Sequence, residues 1–413
     1  MALKMKRIKR QGRKAVPAEY RRKRNWKKIA IFAGIGVAVC GIIAVLIVPK
    51  LLHGSNPNGP QATTPPPDRV IHFVAGGDLN VTDRAVVAGS SGTGYDYTKV
   101  FQDVLPELSR GDITALNFEG VVGGNRYGTD TRTAPAEMLK ALSAAGVDVL
   151  QTANSYSVYN GLQGLNSTLQ GVQDAGLTSL GTYATNGDFN RSGGYVIWEV
   201  GGIKVAMMAF TKGMVNVAGQ PAGLPDGSEH CVNLLYKDYT STYQKVNTEG
   251  IRQVVRNAMA HQPDVTIAMV HWGSEYNDQI SKTQEKICKL LQEEGVDAIV
   301  GTHSHRVQEM KFDPEQGTFV AYSLGDFFGG EVSYSVLLDL EITKDGVTGK
   351  TKITDFSYVP IFSETDDSGK IRVLRIKEAM AGYENRYLDC VSEQTYLEMK
   401  DALTRLESRI SGK

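Results

Sequence analysis

The chain has 413 residues, which is enough for one large α/β domain with appendages or for two domains. Its composition is ordinary for a globular protein, and its four cysteines do not make a disulfide framework. The formal net charge of zero hides an asymmetry: residues 1–28 hold 13 lysines and arginines and one acid, Glu19, which leaves 32 basic and 44 acidic residues in the rest.

The first predicted element is a membrane-spanning helix at residues 29–48. These twenty residues carry no charge, and about 20 apolar residues are needed to cross the hydrocarbon layer. A cleaved signal peptide is the alternative, but its apolar region usually has about 7 to 15 residues before a small-residue cleavage site. Residues 49–52, Pro-Lys-Leu-Leu, offer no such site.

The basic tail, residues 1–28, is expected to stay in the cytoplasm and to place the acidic body outside, since positive charge is retained on the inner side. A nucleic-acid-binding tail is the other interpretation of a basic segment. Membrane topology explains it without a further partner, so no nucleic acid is predicted. The sequence thus predicts a single-pass plasma-membrane protein.

A proline-rich linker at residues 49–68 follows the helix, and residues 53–68 contain five of the 14 prolines. From Val70 onward, strand-like and helix-like segments alternate, which predicts βαβ units and a sheet rich in parallel strands within a domain at 69–332. Residues 333–413 are predicted to complete this domain with edge strands and a final amphipathic helix. The predicted strands are Ser335–Ile342 and Thr351–Val359, and the predicted helices are Tyr97–Ser109, Pro135–Ala145, Gly164–Ala175, Val246–Ala260, Ser281–Glu294 and Glu393–Ile410.

Six apolar runs of this domain stop on a polar or ligating side chain. In an open α/β sheet, the ligand lies beyond the carboxyl ends of the strands, so such residues converge although they are distant in sequence. Gly76 and Gly77 precede the first of them and predict a flexible turn that lets its carboxylate approach a cation. The six residues are Asp78, Glu119, Asn154, His271, His303 and Asp326.

His303 and His305 are spaced i, i+2, which on an extended backbone puts both side chains on one face, able to share one metal or to bracket two. Imidazole with carboxylate suits Zn, Mn or Fe rather than an all-oxygen calcium cage. Two such metals about 3.5 to 4 Å apart would clamp a phosphoester. The structural alternative is that each carboxylate caps a helix or pairs in a buried salt bridge.

The cysteines add little chemistry. No Cys-x-x-Cys pair occurs, which argues against thiolate zinc sites and thioredoxin chemistry. Cys40 lies in the predicted membrane helix, and Cys288 lies in a helical pattern where a buried free thiol is expected. A bridge between Cys231 and Cys390 is left open.

Six motifs, in order between residues 70 and 330, carry a resemblance to a known family. In them the chain resembles the bacterial poly-gamma-glutamate capsule-synthesis family of the CapA type. The resemblance implies a calcineurin-like metallophosphoesterase fold, a four-layer α/β/β/α sandwich with a second, mixed sheet. It also implies a membrane-anchored, outward-facing role in making or exporting an anionic capsule polymer. The motifs are Gly77-Asp78-Leu79, Leu116-Asn117-Phe118-Glu119-Gly120, Ala153-Asn154, His271-Trp272-Gly273-Ser274-Glu275-Tyr276, Gly301-Thr302-His303-Ser304-His305 and Tyr322-Ser323-Leu324-Gly325-Asp326-Phe327.

The resemblance also implies site residues. Carried over by position, five residues fall on metal-site positions of that superfamily: Asp78, Glu119, His271, His303 and His305. Asn154, Ser155 and Asp326 are additional candidate ligands.

The chain departs from the family pattern at several positions, and three of them are candidate site residues. Where the family reads Ala-Asn-Asn-His, this chain has Ser155 in place of the metal-ligating Asn and Tyr156 in place of the His that resembles the catalytic acid. Tyr titrates near 10 in a model peptide and His near 6.5, so Tyr156 is a poor proton donor and acceptor at neutral pH. Asp326 replaces a family Asn and adds a possible ligand or anion.

These departures leave two main hypotheses open. In one, a metal-dependent hydrolase or transferase acts on a phosphoester or polymer end outside the membrane. In the other, which the departures favour, a degenerate member binds the polymer or the synthase complex and catalyses nothing. A third hypothesis, a plain adhesion or wall-binding module, predicts no clustering of the six strand ends.

The resemblance implies partners as well, namely components of a capsule synthase or export complex at the membrane. The expected ligand is an anionic polymer or a phosphoester substrate. Three basic residues are nearest to the predicted site, Lys204, Lys212 and Arg306, and solvated surface charge is the default interpretation of each.

Overall fold

The computed structural model describes residues 65–366, 368–387 and 391–412. The predicted basic tail, the membrane helix and most of the linker lie outside these ranges, as does Cys390 of the bridge that the sequence left open. Cys231 and Cys288 are buried free cysteines. No helix within the described ranges has both the length and the apolarity that a bilayer span requires.

The described residues alternate strands and helices from β1 to α9, numbered in chain order. The strands are β1 (Arg69–Asn80), β2 (Ser90–Ser91), β3 (Gly94–Tyr95), β4 (Ile113–Glu119), β5 (Val121–Val122), β6 (Thr133–Ala134), β7 (Val149–Gln151), β8 (Thr178–Leu180), β9 (Val196–Val200), β10 (Ile203–Thr211), β11 (Met214–Val215), β12 (Pro221–Ala222), β13 (Val265–His271), β14 (Ala298–Thr302), β15 (Met310–Asp313), β16 (Thr318–Ala321), β17 (Asp326–Phe328), β18 (Tyr334–Lys344), β19 (Thr351–Thr365) and β20 (Ile371–Arg375). The helices are α1 (Asp83–Ala88), α2 (Leu105–Leu108), α3 (Ala136–Ala145), α4 (Gly161–Asp174), α5 (Asn186–Ser192), α6 (Thr248–Met259), α7 (Lys282–Glu293), α8 (Ile376–Glu384) and α9 (Glu393–Ile410).

Local sequence sets the limits of the helices. α7 begins after Ser281, whose hydroxyl accepts the backbone N–H of Gln284, while the Gln284 side chain accepts the N–H of Ser281. This capping box satisfies two N–H groups that have no partner inside the helix. α3 ends at Gly146, whose φ of 104° lies in the left-handed region that glycine adopts without strain.

Two mixed sheets form the middle of the fold. In the first, the strand order is β20-β19-β18-β1-β4-β7-β8, with β1, β4, β7 and β8 parallel and β18 to β20 antiparallel. In the second, the order is β15-β16-β14-β13-β10-β9, with the four middle strands parallel. β17 pairs with the end of β1, beyond the residues of β1 that pair with β18.

Three apolar clusters show the layering. Between the sheets, Phe73 of β1 and Met207 of β10 belong to one cluster. On the outer face of the first sheet, Leu116 packs in a cluster with residues of α3. On the outer face of the second sheet, Val270 packs with residues of α6 and α7. The layers are therefore helices, sheet, sheet and helices, and the mixed α/β fold that the resemblance implied is confirmed.

Most of the predicted elements are present, but the structure also differs from the prediction. The helix at Glu393–Ile410 is confirmed, but the helix predicted from Tyr97 is wrong in its first half, because only a short 3₁₀ turn at Gln102–Val104 and α2 form there. The two strands predicted at a sheet edge both lie inside the first sheet: β19 lies between β18 and β20, and β18 lies between β1 and β19. Both faces of β18 are buried, because Leu338 belongs to one apolar cluster and Leu337 to another. The hairpin of β9 and β10 was not predicted.

An aspartate directly precedes four of the parallel strands and so lies at their amino-terminal ends, opposite to the carboxyl ends that carry the candidate ligands. Each of these strand-start aspartates accepts the backbone N–H of a residue on the neighbouring strand, at 2.8 or 2.9 Å. The pairs are Asp112 with His72, Asp148 with Thr114, Asp264 with Lys204, and Asp297 with Thr266. These bonds fix the register of adjacent strands at their starts.

We expect Asp297→Asn to stabilise the protein at pH 8 and to do so less at pH 4. Burial raises the pKa of Asp297 from 3.8 to about 6, although the N–H of Thr266 opposes this. Because the folded-state pKa is the higher one, the ionised carboxylate destabilises the fold above pH 6, and this cost disappears as both states become protonated. The gain at pH 8 is at most about 3 kcal/mol.

Urea unfolding at pH 4, 6 and 8 measures this difference. Asp226→Asn is the matched control, since Asp226 is exposed. A gain in the Asp297→Asn variant that is the same at all three pH values would contradict the expectation.

Candidate metal centre

The first of two buried groups consists of Asp78, His305 and Asp326, whose candidate ligand atoms all lie within 4.8 Å of one another. β17 brings Asp326 beside Asp78, which is its register partner on β1. The Nδ1 atom of His305 lies 2.8 Å from Oδ1 of Asp326 and 3.5 Å from Oδ2 of Asp78. Asn80 donates from Nδ2 to Asp326 at 2.8 Å. Two carboxylates and one imidazole thus meet where β1 and β17 run side by side.

The second group consists of Glu119, His271 and His303, and its ligand atoms also lie within 4.8 Å of one another. Glu119 ends β4 and His271 ends β13, and Oε1 of Glu119 lies 3.3 Å from Nδ1 of His271. The rings of His271 and His303 are 4.3 Å apart at their centroids. Nδ1 of His303 is buried and has no hydrogen-bond partner among the described residues.

Asn117 joins the two groups, and the sequence did not point to it. Its Nδ2 atom donates to Asp78 at 2.7 Å and to Glu119 at 3.2 Å, and it lies 3.4 Å from Nδ1 of His271. A signal was available, because Asn117 lies two residues before Glu119 on a strand and therefore on the same face. Asn80 is likewise two residues away from Asp78 on β1, so these two side chains also share a face.

The backbone of the histidine pair is not extended. His303 has φ 86° and His305 has φ 56°, in the left-handed region that residues with a side chain rarely adopt. Such conformations cost about 1 to 3 kcal/mol each and are typical of functional sites. The backbone N–H of His303 donates to Oδ2 of Asp78 at 3.0 Å, which helps to hold this shape. The pair brackets the two groups, one histidine in each, and does not join a single group.

The glycines before Asp78 have a role other than the predicted one. Gly76 and Gly77 lie within β1, not in a turn, at an irregularity in the pairing with β4. A Cβ atom at Gly77 would overlap the carbonyl oxygen of Gly325, and that same oxygen accepts the N–H of Asp78 at 2.9 Å. Gly77 is therefore required for close approach of the chain before β17.

The carboxylates of both groups carry shifted pKa values. Burial raises the pKa of Asp78 from 3.8 to about 6, and it raises the pKa of Glu119 well above 4.5, with Asp78 adding to the second shift. Burial alone would lower the pKa of His305, but the hydrogen bond to Asp326 and the negative charges of Glu119 and Asp78 raise it to about 10. Protonated His305 thus offsets part of the buried negative charge.

The other two histidines are neutral. Burial lowers the pKa of His271 and of His303 well below 6.5, so both rings can offer a lone pair at neutral pH. The partnerless Nδ1 of His303 is a buried polar atom that needs a partner. This atom and the crowded carboxylates fit a divalent cation, which would offset their charge and accept the imidazole lone pair. Both groups are therefore compatible with a divalent metal site.

Asn154, Ser155 and Tyr156 follow β7 and adjoin the second group. Asn154 is engaged by the chain itself, since its Nδ2 donates to Phe118 O at 2.7 Å and its Oδ1 accepts the N–H of Tyr156 at 3.0 Å. The Ser155 hydroxyl lies 3.1 Å from Nε2 of His271. Ser155 therefore contacts a ring nitrogen of a candidate ligand.

Tyr156 is partly buried, and its ring packs against the guanidinium group of Arg132. The guanidinium carbon of Arg132 lies 4.4 Å from the centroid of the Tyr156 ring. Burial raises the pKa of Tyr156 above its ordinary value of 10, the negative charge of Glu119 adds to this, and Arg132 opposes it. The hydroxyl therefore stays protonated at neutral pH, and it can donate a hydrogen bond but cannot take a proton.

Of the three basic residues predicted near the site, two differ from that prediction. Lys204 lies at the start of β10, the opposite end from the site, where its ammonium donates to His261 O. Lys212 follows the end of β10 and is not a solvated charge, because it donates to Gly273 O at 2.7 Å. Burial lowers the pKa of Lys212, and nearby Glu275 opposes this. Arg306 follows His305 and lies 3.6 Å from Asp278.

The structure thus brings together Asp78, Glu119, His271, His303, His305 and Asp326, which a plain adhesion module does not predict. A four-layer α/β fold with two buried imidazole and carboxylate groups at its strand ends defines a protein class with a potential two-metal centre. Residues 72–331, more than half of the chain, match the sequence model of a protein family. The family is described as bacterial capsule synthesis protein PGA_cap. This chain belongs to that family.

Two similar proteins come from Bacillus. The capsule biosynthesis protein CapA of Bacillus anthracis is 29% identical over 241 residues, which are 57% of this chain and 54% of that protein. The PGA biosynthesis protein CapA of Bacillus subtilis strain 168 is 26% identical over 271 residues, which are 62% of this chain and 64% of that protein. The match therefore spans less than two thirds of the length of either relative.

Solved structures of lower similarity include two phosphoesterases. The calcineurin-like phosphoesterase YfkN of Bacillus subtilis aligns with a TM-score of 0.43 and 17% identity, covering 77% of this chain and 98% of that chain. A phosphatase from Mycoplasma pneumoniae aligns with a TM-score of 0.43 and 14% identity, covering 71% and 94%.

We expect Asn117→Ala to weaken Mn²⁺ and Zn²⁺ binding by about 10- to 100-fold, the usual effect of removing a group that orients the ligands. Calorimetric titration of the purified chain measures the affinity. Asn257→Ala is the control, because Asn257 is an asparagine that donates to a backbone carbonyl, that of Gly193, outside the site. An equal loss of affinity in both variants would refute the bridging role of Asn117.

Proposed function

We propose that this protein takes part in the synthesis or export of an anionic capsule polymer as a membrane-anchored protein whose main domain faces outward. Membership of the capsule synthesis family supports the pathway, and the basic tail followed by twenty uncharged residues supports the anchor. Its partners would be components of the capsule synthase or export complex. The ligand would be the anionic polymer, of the poly-gamma-glutamate type, or a phosphoester.

Within this role, the site holds a divalent cation and binds an anionic ligand without turning it over. One observation carries this proposal: each group brings three candidate ligands together in a buried place, while the position of the family's proton-transferring His is Tyr156, whose ring lies against Arg132. Loss of a general acid typically lowers a rate by about 10² to 10⁴. The site thus lacks the family's proton-transferring residue but keeps three candidate metal ligands in each group.

The residues would share the work as follows. Asp78, His305 and Asp326 would hold one cation, for which His305 would have to release its proton. Glu119, His271 and His303 would hold another, and Mn, Zn or Fe are the metals that suit these donors. A divalent metal would supply Lewis-acid attraction for an anionic oxygen. Tyr156 would donate a hydrogen bond from its protonated hydroxyl, and Asn117 would keep the two groups in place.

A cation also answers a problem of charge. The body of the chain is acidic and would repel a polyanion, although at physiological salt this repulsion is screened over roughly 8 to 10 Å. Close contact with a polyanion therefore needs a local positive charge. Metal at the two groups would provide it where carboxylates otherwise dominate.

A second candidate function is a metal-dependent phosphoesterase or polymer hydrolase at the cell envelope. The clustering of three buried candidate ligands in each group, with Asp326 as an added carboxylate, favours it. In this case Tyr156 or Asp326 would adjust the site, and the protein would act on a phosphodiester or a polymer end.

We expect the wild-type chain to bind Mn²⁺ or Zn²⁺ but to show no hydrolysis of bis(p-nitrophenyl) phosphate. Tyr156→His should gain activity by at least about tenfold over background, because an imidazole restores proton transfer near neutral pH. Tyr159→His is the control, since Tyr159 packs on Tyr156 with ring centroids 5.5 Å apart but is no counterpart of the family His.

The same assay separates the two functions. A wild-type rate that falls at least a hundredfold in His303→Ala would establish the hydrolase and remove the binding-only proposal. A chain that binds no metal would remove both.

We expect a reporter enzyme that is active only outside the cytoplasm to work when it is fused after residue 413. Replacing residues 29–48 by a charged segment should abolish reporter activity, because the apolar length needed for spanning is lost. Activity that survives this replacement would contradict the proposed anchor.

A further inference from the structure

A small cavity adjoins the second group of candidate ligands. Its volume is about 240 Å³, and Lys212, Tyr243, Glu275, Ser155 and His303 are among the residues that line it. We call it the Lys212 cavity. The volume is below the roughly 300 Å³ at which drug-sized ligand pockets begin, so it suits one small group of a larger ligand.

Two of the lining residues connect the Lys212 cavity to the metal centre. His303 belongs to the second group, and its buried Nδ1 has no partner among the described residues. Ser155 contacts Nε2 of His271 at 3.1 Å. A group bound in the cavity therefore lies against the imidazoles of the second group.

The ammonium of Lys212 is held in place but not neutralised. It donates to Gly273 O at 2.7 Å and lies 4.8 Å from the centroid of the Tyr243 ring. An ammonium has three N–H donors, and no ion pair of Lys212 with a carboxylate is present among the described residues. A partly buried ammonium with no carboxylate at ion-pair distance is stabilised when an anion binds beside it.

We propose that the Lys212 cavity binds an anionic oxygen group of the ligand, a carboxylate or a phosphate, and that Lys212 is the residue that recognises it. The proposal deepens the proposed function, because it rests on the site serving an anionic ligand. Glu275 lines the same cavity and is exposed. Its carboxylate opposes binding of an anion and so limits the affinity.

The opposite charges of Lys212 and Glu275 provide the test. We would titrate the purified 413-residue chain with inorganic phosphate and, separately, with glutarate, by calorimetry, first after chelator treatment and then with Mn²⁺. Lys212→Met should weaken binding by at least about tenfold, and Lys212→Arg should stay within about threefold of wild type. Glu275→Gln should tighten binding by about two- to fivefold, since an exposed charge acts weakly.

The two probes distinguish the source of the group: tighter phosphate binding points to a phosphoester and tighter glutarate binding to a polymer carboxylate. A lysine that merely ties β10 to the loop after β13 would give equal dissociation constants in wild type and Lys212→Met, which overturns the proposal. If Lys212→Met fails to fold, as judged by circular dichroism, Glu275→Gln decides, and unchanged or weaker binding in that variant overturns the proposal. Binding by the chelated chain needs no metal, so this test can succeed or fail independently of the metal-binding proposal.

Discussion

The buried carboxylate of Asp78 ties the two sheets together. It accepts one hydrogen bond from Nδ2 of Asn117, in the first sheet. It accepts another from the backbone N–H of His303, in the loop that follows β14 of the second sheet. Its own N–H donates to Gly325 O before β17. Removing a carboxylate from water costs several kcal/mol unless donors or cations surround it, so this one side chain requires the neighbours that assemble there. The contact between the two sheets at this end and the chemistry of the site therefore both depend on the Asp78 carboxylate.

The strand ends could be predicted from the sequence because an apolar run that stops on a polar residue is a local pattern. Which residues form a group could not, because this depends on the pairing of β17 with β1 and on the left-handed backbone of His303. Asn117 was not predicted as a site residue for a different reason, because it lies inside β4 and not at the end of the strand. The hairpin of β9 and β10 had a signal in Gly201-Gly202 between two apolar runs. Without β10, the place of Lys212 could not be seen.

The neighbourhood of Tyr156 shows how a site changes its chemistry within an unchanged frame. The backbone N–H of Tyr156 is held by Asn154, whose amide is fixed in turn by Phe118 O. These bonds do not depend on which side chain follows Asn154 by two residues. These bonds would hold the backbone of a histidine at this position in the same way. With Tyr156, the site has a hydroxyl that donates a hydrogen bond, beside the positive charge of Arg132, where an imidazole would transfer a proton.

The strand-start aspartates lie at the far ends of the strands from all of this. Asp112, Asp148, Asp264 and Asp297 set the alignment of neighbouring strands by bonds that involve no site residue. A substitution at a candidate ligand such as His303 therefore removes none of these four bonds. The fold thus separates two tasks along the length of each strand, since one end carries the bonds that align neighbouring strands and the other end carries the candidate ligands.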